Sequence, residues 1–271
     1  MSTTTAADRA LAASSGAAGL WANIATITAR NLQRLVRVPT LLVFATVQPV
    51  LFVLLFTYTY GGAIHPPGVD RYVDYILPGI FVLSIAFGAS QTGVAIADDL
   101  ASGMLDRFRA LPMARSAVLG GRALADAVRN LFVLTLMTGV GAAIGFRFHA
   151  GAAAAVAAIG LALLVGLAFS WVNALLGLLV GDAESAGLAG LLGVIPLIFV
   201  SSTFVPVATM PGWLQAFAKV NPVTITVDAL RALCLGGPTA TPLWQALALI
   251  GGLLAISAPA AVWRYRHIAA P

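Results

Sequence analysis

Along this chain long apolar runs alternate with short polar breaks, a pattern that predicts helices of membrane length. Continuous apolar runs near the ~20 residues a helix needs to cross a bilayer recur six times, at 41–60, 77–97, about 118–146, about 152–180, 188–205 and 243–263. Their continuity disfavours the alternating strands of a β-barrel. The first run closes on FTYTY and the last on WRYRH, aromatic and basic ends suited to a membrane–water interface. A polar loop, GGAIHPPGVDRYVDY, separates the first two runs, and GDAESAG reads as a short turn between the fourth and fifth.

Two further segments break this pattern. Over 21–38, Trp21, Ile24, Ile27, Leu32 and Leu35 share one broad helical face, while Asn23, Arg30, Arg34 and Arg37 lie mostly elsewhere. An apolar face with basic flanks suits a helix lying in the membrane interface; an ordinary cytosolic extension of the first span is the plainer alternative. Residues 206–242 are too long for a tight turn and too apolar for a solvated loop. Prolines 206, 211 and 222 divide them into pieces such as 212–220 and 223–233, each too short to span. A re-entrant hairpin marked by Pro211, Trp213, Asn221 and Pro222 is the expectation; an outer loop with two surface helices is the alternative.

Composition agrees with the pattern. Hydrophobic residues make up 60% of the 271 and charged ones 9%, with a mean hydropathy of +0.95, against roughly 45–50% apolar residues in soluble domains. The fold class is an all-α polytopic membrane protein. Residues 1–20 are small and polar, without a basic stretch followed by an apolar core, and are expected to be a disordered cytoplasmic tail rather than a signal peptide. That leaves 21–271 as one transmembrane domain. The lone cysteine, Cys234, excludes an intrachain disulfide. Twenty-seven glycines suit close helix packing in lipid.

The fifteen basic residues speak for topology rather than nucleic acid. With six spans both termini share a side, and that side holds ten arginines: 9, 30, 34, 37, 107, 109, 115, 122, 264 and 266. The other side holds four basic residues, Arg71, Arg147, Lys219 and Arg231. The bias places both termini in the cytoplasm.

The same count places DRFRALPMAR, residues 106–115, in the cytoplasm. Leu100, Met104, Leu105, Phe108 and Leu111 recur at helical spacing. Asp98 and Asp99 favour the positive end of a helix dipole, and Pro112 ends the helix near residue 110. A short amphipathic helix from about 98 to 110 is expected. It either marks a cytoplasmic loop or presents a docking surface to a cytoplasmic partner.

The chain contains no G-x-x-x-x-G-K-[ST] phosphate loop, no H-E-x-x-H and no C-x-x-C. Its three histidines, 65, 149 and 267, are scattered, so a shared metal site is not expected. Ion-coupled transport calls for an ionisable group deep in a span. Asp126 is placed to pair with Arg122 at i−4 and Arg129 at i+3 near the cytoplasmic end of the third span, which reads as an ion-paired extension rather than a proton relay. Gln48, Gln91 and Asn173 are the deep polar candidates for a pathway, although such groups more often bond helix to helix. If the chain transports, another subunit supplies the work.

Three stretches carry a resemblance. SGMLDRFRALPMARSAVLGGRALAD (102–126), IGFRFHAG (144–151) and STFVPVATMPGWLQAFAKVNPVTITVDALRAL (202–233) are similar to segments of ABC-2-type transporter permeases, in the daunorubicin-resistance-like exporter branch. The resemblance implies an N-terminal interfacial helix, six spans, a cytoplasmic coupling helix and a re-entrant hairpin before the last span. It also implies two permeases, identical or paralogous, with two separate ATPase subunits that hold ATP and Mg; this chain itself binds no cofactor and has no catalytic centre. By analogy Arg107, Phe108, Arg109, Leu111, Pro112 and Arg115 contact the ATPase. The implied cargo is a hydrophobic or amphiphilic drug, polyketide or lipid taken from the cytoplasm or inner leaflet of a bacterial plasma membrane. The competing readings are a carrier or channel without an ATPase, and a membrane-embedded lipid-modifying enzyme, for which Asp182 and Glu184 lack partners.

Overall fold

The computed structural model describes residues 17–37, 39–66, 68–103 and 115–268. Every regular element among them is helical. In chain order they are α1 (Ala17–Arg37), α2 (Pro39–Tyr60), α3 (Tyr72–Ala101), α4 (Arg115–Ala143), α5 (Gly151–Val180) and α6 (Ala183–Phe199). A 3-10 turn (Val207–Thr209) leads to α7 (Gly212–Val220), α8 (Pro222–Leu235) and α9 (Ala240–Ile268). By length and apolar composition, α3, α4, α5 and α9 each suffice to cross a membrane. α2, over Thr46–Tyr60, and α6 are shorter apolar helices.

α3 is the axis of the bundle. Most of its residues are buried, and α5, α6, α2, α4 and α8 all pack on it. Small residues make this possible. A Cβ on Gly177 of α5 would lie 2.3 Å from the carbonyl oxygen of Gly93, and one on Gly93 would lie 2.7 Å from that of Asn173. The two backbones therefore touch where α3 crosses α5. α9 covers the other side of α5, and α1 packs along α4, where Gly121 leaves room for Ile27 and Thr28 Oγ1 donates to the Gly121 carbonyl at 3.0 Å.

Turn chemistry sets the ends. Gly181, at φ +85, closes α5 in the left-handed region that favours glycine. Asp182 then caps α6 by accepting from the Ser185 N–H at 2.8 Å. Pro222 opens α8, and Asn221 before it accepts from the Val223 N–H at 2.9 Å.

Several boundaries differ from expectation. Helix α1 begins at Ala17, so residues 17–20 belong to it rather than to the tail; residues 1–16 lie outside the described ones. Its packed face is Ile24, Ile27 and Thr28, while Trp21 is exposed. The fifth apolar run was expected over 188–205, yet α6 occupies Ala183–Phe199. It starts early because Asp182 caps it. It stops early because Ser201, Ser202 and Thr203 are buried against α3. There Ser201 Oγ donates to the Ile198 carbonyl at 2.6 Å, and Tyr75 Oη donates to the Ser202 carbonyl at 2.9 Å. Residues 98–101 continue α3 instead of starting a separate helix, and Gly103, at φ +66, follows its end. The remainder of the expected coupling helix lies outside the described residues.

Candidate functional site

A cavity of about 710 Å³ opens between α1, α2, α3, α4 and α6. α3 lines it with Ser84, Gly88, Gln91, Ala95 and Asp98, spaced three and four apart on one helix face. α4 contributes Arg122, Asp126, Arg129, Asn130 and Val133, and α2 contributes Gln48, Pro49 and Phe52. Asp98, Arg122 and Ala183 sit near the ends of their helices, whereas Ser84, Arg129 and Val133 sit towards the middle of theirs. The cavity therefore runs from one end of the bundle to about half its height.

Arg129 stands at the midpoint of α4. Two glycines make room for it and its neighbour. A Cβ on Gly88 of α3 would lie 2.7 Å from Arg129 Nη2, and one on Gly166 of α5 would lie 2.6 Å from Asn130 Nδ2. Both glycines are near the centres of their own helices. The Arg129–Asn130 pair is thus at half-height of three packed helices, not near the helix end where the sequence suggested it.

Charge is matched within this wall. Arg129 Nη1 is 3.2 Å from Asp126 Oδ1. Asp126 Oδ2 also accepts from Thr92 Oγ1 at 2.5 Å and from Ser170 Oγ at 3.2 Å. The expected Arg129–Asp126 pair is present, but Arg122 turns to Asp99 of α3 instead, at 2.9 Å. That pairing joins residues 23 apart in sequence, and only the antiparallel packing of α3 and α4 reveals it. Three donors converge on Asp126.

The sequence candidates fall into separate places. Gln48 and Gln91 meet at the cavity. Asn173 does not line it; its Nδ2 donates to the Phe169 carbonyl at 3.0 Å, and it is buried beside Gly93 and Gly190 at the crossing of α3, α5 and α6. Arg107, Phe108, Arg109, Leu111 and Pro112 lie outside the described residues, and Arg115 is the first residue of α4. Pro211 precedes α7, and Trp213 on α7 is exposed. Asn221 does more than cap α8: its Nδ2 donates to the carbonyls of Leu197 at 2.7 Å and of Val200, tying α8 to the end of α6.

Arg231 of α8 was counted in the sequence only as a topology charge. It pairs with Asp228 at 2.9 Å, donates to the carbonyls of Ser202 (2.9 Å) and Tyr75 (3.2 Å), and sits 3.8 Å over the Tyr75 ring. It locks α8 and the loop at Ser202 onto α3. Among the described residues no cluster of three or more His, Cys, Asp or Glu side chains could hold a metal ion.

The sequence matches the family model described as ABC-2 type transporter over residues 22–235. It is 32% identical over 229 residues to the daunorubicin resistance ABC transporter permease protein DrrB1 of Streptomyces coeruleorubidus, covering 84% of this chain and 81% of that one. It is 28% identical to "Probable doxorubicin resistance ABC transporter permease protein DrrC" of Mycobacterium tuberculosis, covering 89% and 87%. The inner membrane transport permease YadH of Escherichia coli is 21% identical, over 80% and 84%. The match to the family model runs from α1 through α8, and the chain belongs to the ABC-2 type transporter family as a membrane permease.

Proposed function

We propose that the chain is the membrane half of an ATP-driven exporter of hydrophobic or amphiphilic compounds, powered by a separate ATPase present in two copies. A second permease, identical or paralogous, completes the pathway, and ATP and Mg are held by the ATPases. The observation that carries this reading is the cavity. It reaches half-height and lies towards the end where α3 stops and α4 starts, the end joined by the charged segment 104–114. The drug-resistance names of the relatives support the same class of cargo.

In this reading α2 and α6 join the four longer helices as spans, and α7 and α8 form a re-entrant hairpin marked by Pro211, Trp213, Asn221 and Pro222. Both termini are cytoplasmic. An exposed stripe on α2, comprising Val43, Val47, Leu51, Leu55 and Tyr58, supports contact with lipid or the second permease. Arg107, Phe108, Arg109, Leu111, Pro112 and Arg115 form the ATPase contact. Copurification with the ATPase tests this. Arg109→Glu and Phe108→Ala are expected to lose the ATPase or its stimulation; normal binding and stimulation in both variants sinks the docking assignment.

The half-height Asp126–Arg129 pair favours a second reading, a gradient-driven carrier, because ionisable groups at that depth usually serve function. Transport that stops when the gradient is collapsed while ATP remains, and continues without an ATPase, selects it.

A further inference from the structure

A second cavity, of about 360 Å³, lies at the other end of the bundle, between the 3-10 turn, α7, α8 and the start of α9. Gln215 and Lys219, four apart on α7, line it with Thr224 and Asp228, four apart on α8, and with Gln245 of α9.

Two opposite charges share this cavity without pairing. Lys219 is the only lysine of the chain, and its ammonium pairs with no described residue. Asp228 receives Ser202 Oγ at 2.6 Å and Arg231 Nη1 at 2.9 Å on the same oxygen, Oδ1. A carboxylate has about four acceptor positions, and the Asp228 side chain is 45% exposed, so Oδ2 is left for a donor from outside the protein. Gln215 directs its amide N–H groups at the Ala208 and Met210 carbonyls, which leaves its amide oxygen open as well.

The cavity also sits at the edge of the bilayer. Trp244 and Trp263 are both exposed on α9 and nineteen residues apart, about 28 Å along a helix, close to the ~30 Å of a hydrocarbon core. Tryptophan favours that boundary, and Trp244 adjoins Gln245 of the cavity. On another side of α7, Trp213, Phe217 and Val220 recur at helical spacing and are exposed. They offer acyl chains an apolar surface beside the polar cavity.

We infer that this cavity binds the headgroup of a phospholipid bearing a primary amine, phosphatidylethanolamine in type, with the phosphate at Lys219 and the ammonium at Asp228 Oδ2 and Gln215. A purely anionic headgroup sets its charge against Asp228, and a lone cation meets Lys219; a zwitterion answers both. The primary amine matters because it carries three N–H donors, whereas the trimethylammonium of a choline headgroup carries none. The site goes beyond the export reading and does not depend on it.

The experiment is native mass spectrometry of the full chain from detergent micelles, titrated with palmitoyl-oleoyl phosphatidylethanolamine, phosphatidylcholine or phosphatidylglycerol. The ethanolamine lipid is expected to bind about two- to tenfold more tightly than either other lipid, as one partly exposed ionic hydrogen bond supplies. Affinity should fall stepwise through its N-methyl and N,N-dimethyl derivatives. Lys219→Gln weakens it by about two- to tenfold with no drop in melting temperature, and Lys219→Arg retains it. Asp228→Asn removes the preference for ethanolamine over choline; the methylation series on the wild type tests the same contact should that variant not fold. Equal binding of the ethanolamine and choline lipids, tighter binding of phosphatidylglycerol, or unchanged affinity in Lys219→Gln overturns the inference. So does soluble O-phosphoethanolamine competing as well as lysophosphatidylethanolamine, since the ligand would then not be a lipid.

Discussion

At the scale of single residues, the absence of a side chain matters as much as its presence. Gly177 has no space for even one carbon, since its Cβ would meet a backbone oxygen of α3 at 2.3 Å. Gly177→Ala must push α5 away from α3, and overpacking of this kind costs about 1–3 kcal/mol. Gly160, on the same helix, faces open space, so Gly160→Ala is expected to leave stability unchanged or raise it by up to about 1 kcal/mol through helix propensity. Melting temperatures of the two variants, compared in one detergent, separate crossing from composition.

The Asp126–Arg129 pair gives a second residue-level prediction. Asp126→Ala removes the carboxylate that takes three donors and leaves Arg129 charged at half-height, a loss of about 3–5 kcal/mol. Replacing both with leucine is expected to recover much of it, which a double-mutant cycle by thermal melting would show. Cys234 is buried at 0% exposure, so maleimide labelling of the folded protein should be slow and should appear on heat or detergent denaturation.

At the scale of elements, caps decide where apolar runs become helices. The Ser185 N–H holds the Asp182 carboxyl below the usual carboxylate range. A carboxyl with a lowered folded value stabilises the fold above its unfolded value, and that support is lost as pH falls through the folded value. Amide exchange at Ser185 is therefore expected to accelerate only on acidification below the ordinary aspartate range; an exchange rate that follows only the intrinsic pH dependence, with no change in protection, would count against the cap. Asn221→Ala removes a helix cap and strips partners from two carbonyls at the end of α6. A cap of this type contributes about 0.5–2 kcal/mol, and proteolysis within 200–222 should rise.

Much of this layer was readable from sequence for physical reasons. Long apolar runs have one stable form in lipid, a helix with its backbone bonded internally, so α3, α4, α5 and α9 fell close to their runs. Pro211, Asn221 and Pro222 act within a few residues of themselves, so α7 and α8 were placed well. Contacts between distant segments were not readable. Nothing local tells Arg122 to choose Asp99 over Asp126, or tells Asn173 that it will be buried beside Gly93. The cavity became visible only once the register of α3 against α4 set Ser84 and Gln91 on the same wall as Arg129. The short reach of α6 was missed because Ser201, Ser202 and Thr203 look like the continuation of a span until Tyr75 is seen to hold them.

At the scale of the molecule, the described helices form a bundle with one tightly bonded end and one hollow end. At the first, Arg231, Asp228, Tyr75 and Ser202 form a closed set of bonds joining α8 to α3. At the second lies the cavity, with its matched charges. The topology proposed for this arrangement predicts that a reporter fused after residue 271 is active only as a cytoplasmic reporter, and that one inserted near His65 is active only outside. Opposite outcomes would turn the cavity to the outer face.

The contact between Gly93 and Gly177 also has a mechanical side. It lies eight residues from the Ala101 end of α3 and twenty-one from the Tyr72 end, arms of roughly 12 and 32 Å at 1.5 Å per residue. Treated as a stiff rod on that fulcrum, α3 is a lever of unequal arms. A push of about 1 Å at Ala101 becomes a sweep of between about 2 and 3 Å at Tyr72, which carries the Ser202 loop and α8 with it through Tyr75 and Arg231. A small stroke applied beside the segment 104–114 is thereby geared up at the far side of the bundle.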